Sequence, residues 1–197
     1  MNHTEIINLL IKNNNYKKYC EIGCNRNSNF KRINIPYTVG IDPRHGGTLK
    51  MTSDEFFKQN NEKFDIFFID GLHHAEQAYR DIINSLIFLN INGTIVVHDC
   101  NPLSYFTQIV PRPRRPKEWN GDVWKGWLKL RSEREDIEMF TIDSDYGCGI
   151  IRKGKQNLIS KWNITYKEFE KDKKNLLNLI SVEEFKNKFF NYSHGKA

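Results

Sequence analysis

The sequence predicts an α/β fold: a doubly wound, mostly parallel sheet with helices on both faces, closed by an antiparallel hairpin. Two apolar runs, residues 63–71 and 94–99, have the continuous hydrophobicity of strands that are buried on both faces. The residues between them, 74–89, carry apolar side chains at three-to-four spacing, which is typical of a helix. Two later runs, 137–143 and 147–152, are joined by so few residues that they predict an antiparallel pair.

The first strand of this sheet is predicted at residues 18–22. It is followed by a turn at Gly23 and by a helix whose N-cap is Asn27 or Ser28. Such a turn places backbone N–H groups and a helix N-terminus beside whatever binds there. The alternative is an ordinary strand–turn–helix connection with no ligand.

A second strand, residues 37–41, ends in Asp42. In a doubly wound fold, the loop after the first strand meets the anionic end of a nucleoside ligand, and an acid in this position binds the ribose hydroxyls. The loop at Gly23 has one glycine instead of the G-x-G-x-x-G of dinucleotide sites, which disfavours a pyrophosphate and with it a nicotinamide enzyme. A smaller group fits better, such as the amino-acid part of S-adenosylmethionine (SAM).

Apolar spacing, capping residues and turn residues predict the remaining elements of the core. In chain order they are a helix over residues 2–14 capped by Asn2 or Thr4, a short helix over 30–33, a short strand over 48–51, a helix over 54–59 capped by Ser53, a turn at Asn92-Gly93 and a helix over 122–131.

Residues 155–197 differ from the rest of the chain because they are rich in lysine and asparagine. The runs 165–168 and 181–184 both match the capping box, which predicts two helices. We therefore divide the chain into a core domain, residues 1–154, and a helical C-terminal extension, residues 155–197. The extension either packs on the core or is a solvated basic tail.

The composition is that of one ordinary globular domain. With 39% hydrophobic and 27% charged residues, a chain of 197 residues can form a single core. No apolar run approaches the roughly 20 residues of a membrane span, and the N-terminus lacks the basic segment of a signal peptide. The four cysteines lack zinc spacing and fit reduced thiols, which predicts a cytoplasmic protein. A net charge of +6 is compatible with nucleic-acid binding, but an excess of surface lysine is the commoner cause.

Every strong predicted strand ends in an acid or a glycine turn, at the edge where open α/β sheets bind their ligands. With these strand ends, the sequence resembles the small stand-alone class I SAM-dependent methyltransferases that carry a strand-end Asp-Gly-x-His motif. Members of that family are associated with sugar and natural-product O-methylation. The resemblance covers about residues 16–152, and its matching runs are Glu21-Ile22-Gly23, Gly40-Ile41-Asp42, Thr52–Phe57, Phe68–His74, Gly93–Asp99 and Trp119–Lys125.

The resemblance implies a Rossmann-like methyltransferase fold and a SAM site. The implied cofactor-binding residues are Glu21, Gly23, Asn27, Asp42, Ser53, Asp54, Asp70 and Gly71. The loop at Gly23 would approach the methionine part of SAM, and Asp42 would hold the ribose; the alternative for Asp42 is a solvated strand-end acid. Ser53 and Asp54 would meet the adenine edge, although a plain helix cap explains Ser53 equally well. Asp70 would face the transferring methyl group.

The resemblance also implies a divalent metal such as Mg²⁺, held by Asp70 and Asp99. His98 stands where related enzymes have a carboxylate, and imidazole suits a transition metal better than Mg²⁺. The alternative is that Asp99 orients the substrate or His98 without a metal. His73 and His98 are the best-placed candidate bases, with Asp99 as a third catalytic residue, and a structural hydrogen-bonding role is equally open to each histidine.

The acceptor side is predicted in residues 111–119, where prolines alternate with four basic side chains. These charges either bind phosphate, as on a nucleotide sugar, or are only solvated. Trp119, Trp124 and Trp127 either stack on a sugar or, for the latter two, belong to the core. We expect methyl transfer to an oxygen of a small, carbohydrate-like acceptor, with or without phosphate; a homo-oligomer is left open. The alternatives are an RNA methyltransferase, which the charge motivates, and a non-catalytic Rossmann-like binding protein.

Overall fold

Seven strands form one mixed sheet in the computed structural model, which describes residues 1–190. The strands are β1 (Lys18–Ile22), β2 (Tyr37–Ile41), β3 (Phe64–Ile69), β4 (Leu89–Val97), β5 (Ile137–Ile142), β6 (Cys148–Lys153) and β7 (Leu179–Ile180). Their order across the sheet is β2-β1-β3-β4-β6-β5-β7. The first four strands of that order are parallel, and β6 is antiparallel to both of its neighbours. The predicted parallel sheet with an antiparallel hairpin is therefore confirmed.

Helices cover both faces of the sheet. They are α1 (His3–Asn14), α2 (Ser53–Gln59), α3 (Ala75–Ile87), α4 (Val123–Glu133), α5 (Tyr166–Leu176) and α6 (Val182–Phe190). On one face, the apolar sides of α3, α4 and α5 pack on the sheet around Trp124 and Phe169, whose rings lie 4.4 Å apart. On the other face, α1 and α6 pack on it through residues such as Leu10 and Phe185. No helix within residues 1–190 is both long and apolar enough to cross a membrane.

The helix start predicted at Asn27 or Ser28 does not form, and the short helix predicted over residues 30–33 is a 3₁₀ helix, Phe30–Arg32. Asn25 and Asn27 have left-handed φ values of 46° and 64°, which interrupt a helix, so Asn27 is not an N-cap. Only a three-residue 3₁₀ turn, Phe30–Arg32, fits between them and Pro36, and no side chain caps it. The prediction failed because a run rich in asparagine supplies residues that favour turns as much as caps.

The predicted turn at Asn92-Gly93 is also wrong, because β4 runs straight through it from Leu89. The register between β3 and β4 shifts at this point, and a Cβ on Gly93 would lie 2.7 Å from the carbonyl oxygen of Asp65. A glycine inside a strand often marks such a bulge and close backbone approach. Helix α3 accordingly ends at Ile87, earlier than predicted.

Smaller corrections concern caps and the third strand. Thr52, not Ser53, caps α2, in a capping box with Glu55; Ser53 is the first helical residue. The strand predicted over residues 48–51 is a single bridge between Leu49 and Ile41. At α1, Asn2 is the cap, as predicted.

The two helices predicted in the C-terminal extension are confirmed as α5 and α6. Between them lies an unpredicted strand, β7, which pairs with β5 in parallel. Phe169 and Phe185 are fully buried on opposite faces of the sheet, so this part of the extension packs on the core and is not a solvated tail. The last seven residues of the predicted extension, 191–197, lie outside the described residues.

Candidate active site

Four predicted site residues meet at the carboxyl edge of the sheet. Asp70 follows β3 and His98-Asp99 follows β4, and these parallel neighbours are in register at Ile69 and Val97. His98 Nδ1 lies 3.4 Å from Asp70 Oδ1 and 3.2 Å from Asp99 Oδ2. His73, from the loop before α3, contacts both acids, with Nε2 at 3.1 Å from Asp70 Oδ1 and Nδ1 at 3.3 Å from Asp99 Oδ2. We call His73, His98, Asp70 and Asp99 the strand-end cluster.

The segment before α4 holds this cluster in place. Trp119 stacks on the His73 ring at 5.2 Å, and its carbonyl oxygen lies 3.0 Å from His73 Nδ1. The buried amide of Asn120 donates from Nδ2 to Asp99 Oδ1 at 2.5 Å. Asp99 itself has a left-handed φ of 63°, so this hydrogen bond helps to hold a backbone that few non-glycine residues adopt. The run that begins at Trp119, noted in the sequence, thus fixes the orientation of both a histidine and an acid.

The same segment joins the N-termini of two helices. Asp122 Oδ1 accepts the backbone N–H of Ala75 at 2.7 Å and so caps α3 from the start of α4. Gly121 has a φ of 62°, and a Cβ there would lie 1.9 Å from the carbonyl oxygen of His73. Only glycine permits this close approach.

Electrostatics favour an ionised Asp70 and protonated imidazoles in the strand-end cluster. Burial alone would raise the pKa of Asp70, but the charge of His98 and the hydrogen bond from His73 hold it well below its usual range. Burial likewise opposes protonation of both histidines, but their carboxylate neighbours raise the pKa of His73 and raise that of His98 further. A protonated imidazole has no lone pair, so neither ring can accept a proton until it has lost one.

Two residues next to this cluster were missed by the sequence analysis. His3, at the start of α1, places Nδ1 2.6 Å and its backbone nitrogen 2.7 Å from Asp145 Oδ2. Asp145, in the loop between β5 and β6, lies 3.5 Å from His98 Nε2 through the same oxygen. The position of Asp145 could have been inferred, because an antiparallel β6 returns its loop to the carboxyl end of β4. No sequence signal indicated His3, since its position depends on how α1 packs.

The loop after β1 packs tightly on the end of β3. Gly23 has a φ of 91°, and a Cβ there would lie 2.1 Å from the carbonyl oxygen of Asp70. The glycine is therefore required by a neighbouring strand, whether or not a ligand approaches it. The side chain of Glu21 is buried; it accepts a hydrogen bond from the Tyr19 hydroxyl and another, at 2.8 Å, from Asn29 Nδ2. Burial raises the pKa of Glu21 to about 7, in spite of these hydrogen bonds.

Asp42 anchors the loop that follows β2. It accepts backbone N–H groups from Asn25 at 2.7 Å and from Arg44 and His45 at 2.8 Å each. Burial alone would raise the pKa of Asp42, but these hydrogen bonds outweigh it and lower the pKa. About four acceptor positions exist on a carboxylate, so roughly one remains for a ligand. Asn27 Oδ1 accepts from the Gly47 nitrogen at 2.6 Å, which joins the same two loops.

The predicted adenine side is a polar contact between α2 and α3. Gln77 Nε2 lies 3.1 Å from Ser53 Oγ and 3.2 Å from Asp54 Oδ1. The same nitrogen donates to Asp81 Oδ1 at 2.9 Å. Burial raises the pKa of Asp81 to about 6. Gly71 faces the same acid, because a Cβ on it would lie 3.8 Å from Asp81 Oδ2.

Two of the three tryptophans considered for the acceptor side belong to the core. Trp124 and Trp127 are fully buried, whereas Trp119 is half-buried beside the strand-end cluster. Among the basic residues, Arg112 folds back over the Trp119 ring at 5.5 Å and donates to the carbonyl oxygen of Lys117 at 2.6 Å. Exposed residues in the same stretch, 102–119, are Leu103, Tyr105, Phe106, Pro111, Arg112, Arg114, Arg115, Lys117 and Glu118.

Two groups of side chains have ligand atoms close enough for a metal ion. Asp70, His73 and Asp99 form the first, and their atoms lie within 4.8 Å of one another. It includes the predicted metal ligands Asp70 and Asp99. Because imidazole lies between the two carboxylates, this set of donors fits a transition metal better than Mg²⁺, which prefers oxygen. His3, His98 and Asp145 form the second group.

Comparison with known proteins agrees with this architecture. Residues 14–100 match the family model described as a methyltransferase domain, and this stretch includes β1 to β4. No curated protein gave a significant match to the sequence. The identity to similar solved structures is low, so they establish the fold alone: the chain has the Rossmann-like fold of class I methyltransferases.

Three solved structures illustrate the likeness. The Podospora anserina methyltransferase PaMTH1, solved with S-adenosylhomocysteine (SAH), is 14% identical, with a TM-score of 0.56 over 77% of this chain and 78% of that one. The O-methyltransferase of Bacillus cereus, also in complex with SAH, is 12% identical, with a TM-score of 0.53 over 75% and 78% of the two chains. TomG of Streptomyces achromogenes, an O-methyltransferase of tomaymycin synthesis in complex with SAM, is 13% identical, with a TM-score of 0.55 over 76% and 78%.

Proposed function

We propose that this chain is a SAM-dependent methyltransferase that moves a methyl group to a hydroxyl oxygen of a small, carbohydrate-like acceptor. One observation carries the proposal: the stretch that matches a methyltransferase domain contains Asp42, Asp70 and Asp99, each at the carboxyl end of a parallel strand. Ligands of open α/β sheets bind at this edge. Structural neighbours solved with SAM or SAH support the choice of cofactor.

SAM would lie across the ends of β1, β2 and β3. The remaining acceptor position of Asp42 takes a ribose hydroxyl, and the loop at Gly23 and Asn27 borders the methionine part, with Glu21 beneath it. Ser53 and Asp54 receive the adenine edge, where Gln77 already holds both side chains. Asp70 and Gly71 then face the sulfonium end, next to the strand-end cluster.

The reaction is an in-line displacement. The acceptor oxygen attacks the methyl carbon, the bond between that carbon and sulfur breaks, and SAH leaves as a neutral thioether. The protein must align the three atoms and accept the hydroxyl proton. We assign the proton to His73 Nε2. His73 Nδ1 faces two acceptors, the Trp119 carbonyl oxygen and Asp99 Oδ2, whereas Nε2 faces one, Asp70 Oδ1. We therefore place the remaining proton of a neutral His73 on Nδ1 and its lone pair on Nε2.

Asp99 positions the base His73, and it would also be one of the ligands of a divalent metal ion. Asp99 contacts His73 Nδ1 and is held in turn by Asn120. A divalent ion on Asp70, His73 and Asp99 would lower the pKa of a bound acceptor hydroxyl. With His73 committed to such an ion, His98, whose Nδ1 faces the same acids, would be the remaining imidazole for the proton.

The acceptor would bind against residues 102–119. The Trp119 ring lies beside the cluster, and Arg112, which lies over it, would have to move for a sugar to stack there; Arg114, Arg115 and Lys117 are exposed. Stacking on the aromatic ring suits a sugar, and the cations suit a phosphate, as on a nucleotide sugar.

The first test of this proposal is calorimetric titration with SAH. We expect Asp42→Asn to weaken SAH binding at least tenfold, because the ribose loses a charged acceptor. Asp65→Asn is the matched control, since Asp65 also accepts two backbone N–H groups, from Lys17 and Lys18, near the opposite end of the sheet. No binding of SAH by the wild-type protein, or equal binding by Asp42→Asn, would overturn the cofactor assignment.

The second test follows labelled methyl from SAM into a panel of sugars and nucleotide sugars. Asp99→Asn is expected to abolish turnover while SAH affinity stays within a few-fold. Equal loss of both would remove Asp99 from the acceptor side. Arg114→Ala should raise the KM for phosphorylated acceptors only; an unchanged ratio of KM values would remove the phosphate from the proposal.

A further inference from the structure

The second group of metal-ligand atoms joins three separate parts of the chain. His3 begins α1, His98 follows β4, and Asp145 lies in the hairpin loop between β5 and β6. One ligand atom from each residue lies within 4.8 Å of the other two, and Asp145 Oδ2 is 2.6 Å from His3 Nδ1 and 3.5 Å from His98 Nε2. This group lies on the far side of the His98 ring from Asp70 and Asp99.

The buried ring of His98 leaves one nitrogen unsatisfied. His98 is 8% exposed, and its Nε2 has no hydrogen-bond partner among the described residues. The nearest charged oxygen, Asp145 Oδ2, is 3.5 Å away. A buried polar atom without a partner is costly, and a metal ion is one of the groups that satisfies it. The orphaned nitrogen points to the same place as His3 and Asp145.

We propose that His3, His98 and Asp145 bind a first-row transition-metal ion of the Zn²⁺ class. Two imidazoles and one carboxylate are a donor set that such ions prefer, with water completing the coordination. The proposal does not depend on the methyltransferase assignment, because it rests on these three side chains alone.

The opposite nitrogen of His98 is arranged as in known metal sites. Histidines that bind metals usually donate their other ring N–H to a carboxylate, which fixes the tautomer and the ring orientation. His98 Nδ1 lies 3.2 Å from Asp99 Oδ2, and Asp99 is held by Asn120. His98 would thus be a metal ligand through Nε2 and remain anchored to the strand-end cluster through Nδ1. If the ion is bound, this ring is no longer available as a base, which leaves His73 for that role.

Two aromatic rings border the group, and the distances need only a small adjustment. The Phe68 ring stacks on His3 at 5.3 Å, and Tyr146 lies edge-on to His98 at 6.1 Å. Bonds of about 2.0–2.1 Å in a tetrahedral site place ligand atoms roughly 3.3 Å apart. His98 Nε2 and Asp145 Oδ2 already match this separation at 3.5 Å, whereas the 2.6 Å contact of His3 with Asp145 would have to open by less than about 1 Å. The side chains of His3 and Asp145 are 25% and 19% exposed, which leaves a path for the ion.

The test is a titration of metal-free protein with Co²⁺, which reports its coordination in the visible spectrum. We expect one tight Co²⁺ on His3, His98 and Asp145, displaced by Zn²⁺; a second ion, on the strand-end cluster, would be the one that Asp70→Asn removes. His3→Gln and Asp145→Asn should each weaken Co²⁺ binding by about tenfold or more. His45→Gln is the matched control: it removes an exposed imidazole and should leave the affinity unchanged.

Asp70→Asn separates this site from the strand-end cluster. It should leave tight Co²⁺ binding within about threefold if the ion sits on His3, His98 and Asp145, because Asp70 belongs to the other group. Loss of binding in Asp70→Asn but not in Asp145→Asn would place the ion on the strand-end cluster and overturn the proposal, as would the absence of saturable binding. Should a variant fail to fold, the wild-type protein supplies a second readout. Co²⁺ should broaden the proton resonances of Phe68 and Tyr146 first, and broadening that spares them would also refute the site.

Discussion

Glu21→Gln should remove a pH dependence of stability that a buried carboxyl creates. Burial raises the pKa of Glu21 from 4.5 to about 7 in the folded chain. Between these values the folded chain binds more protons than the unfolded chain, so the free energy of unfolding falls as the pH rises. The contribution of Glu21 is complete below pH 4.5 and is lost as the pH passes the folded value.

The magnitude follows from the two pKa values. At about 1.4 kcal/mol for each pH unit, the difference amounts to roughly 3 kcal/mol, of which about 2.5 kcal/mol is lost between about pH 5 and pH 8. Glutamine has nearly the same shape and still offers an oxygen to the Tyr19 hydroxyl and to Asn29 Nδ2. The variant therefore keeps the packing and loses only the titration.

The assay is urea unfolding followed by circular dichroism across this pH range. Relative to wild type, Glu21→Gln should gain about 2.5 kcal/mol of unfolding free energy from about pH 5 to pH 8; groups that titrate alike in both proteins cancel. Tyr19→Phe is the counter-test: it removes a hydrogen bond that lowers the pKa of Glu21, so the decline in stability should extend to higher pH. A difference between wild type and Glu21→Gln that does not change with pH would refute the reasoning.

Three further outcomes are expected. Gly23→Ala should lower the free energy of unfolding by at least about 2 kcal/mol and the unfolding temperature by about 5 °C or more, because its Cβ would meet the Asp70 carbonyl at a left-handed φ. Gly71→Ala, whose Cβ comes no nearer than 3.3 Å to Ile22, is the control. Equal losses of stability in the two variants would contradict the argument. Phe169→Ala should cost about 3–5 kcal/mol in urea unfolding if residues 155–197 are integral to the core, whereas Phe106→Ala, 62% exposed, should cost below about 0.5 kcal/mol. The turnover rate should rise with pH through the raised pKa of His73. Asp70→Asn should move that rise to lower pH, because Asp70 stabilises the protonated ring. If the midpoint of the pH–rate profile does not move in Asp70→Asn, His73 is not the titrating base.

The sequence could predict the convergence of Asp70, His98 and Asp99, since parallel strands place their carboxyl ends at one edge. The contact between His3 and Asp145 could not be predicted from the order of the strands, because it depends on how α1 packs across the sheet and on left-handed φ values at Asp145 and Tyr146. Local sequence patterns predict the order of strands and helices along the chain well, but they contain little information about which distant loop the end of a helix will contact.

Errors in the strands and caps have a related cause. Asn92-Gly93 is a strong local turn signal, yet at this point pairing between β3 and β4 outweighs it, and the glycine accommodates a bulge. Thr52 and Ser53 are both good caps by composition, and one residue of register decides between them. Roles proposed for Ser53, Asp54 and the other cofactor residues stay predictions, since fold alone does not test them.

The stacking of Trp119 on His73 gives the candidate active site its own optical reporter. Protonated imidazole quenches the fluorescence of a neighbouring indole. Of the four tryptophans, Trp124 and Trp127 are fully buried in the core and Trp162 lies under Lys129, so Trp119 is the one whose ring stacks on a histidine among the described residues. Emission from Trp119 should therefore brighten as His73 loses its proton, and it should change again when an acceptor enters the stack. Ligand screening can then proceed with unlabelled protein and without knowledge of the reaction product.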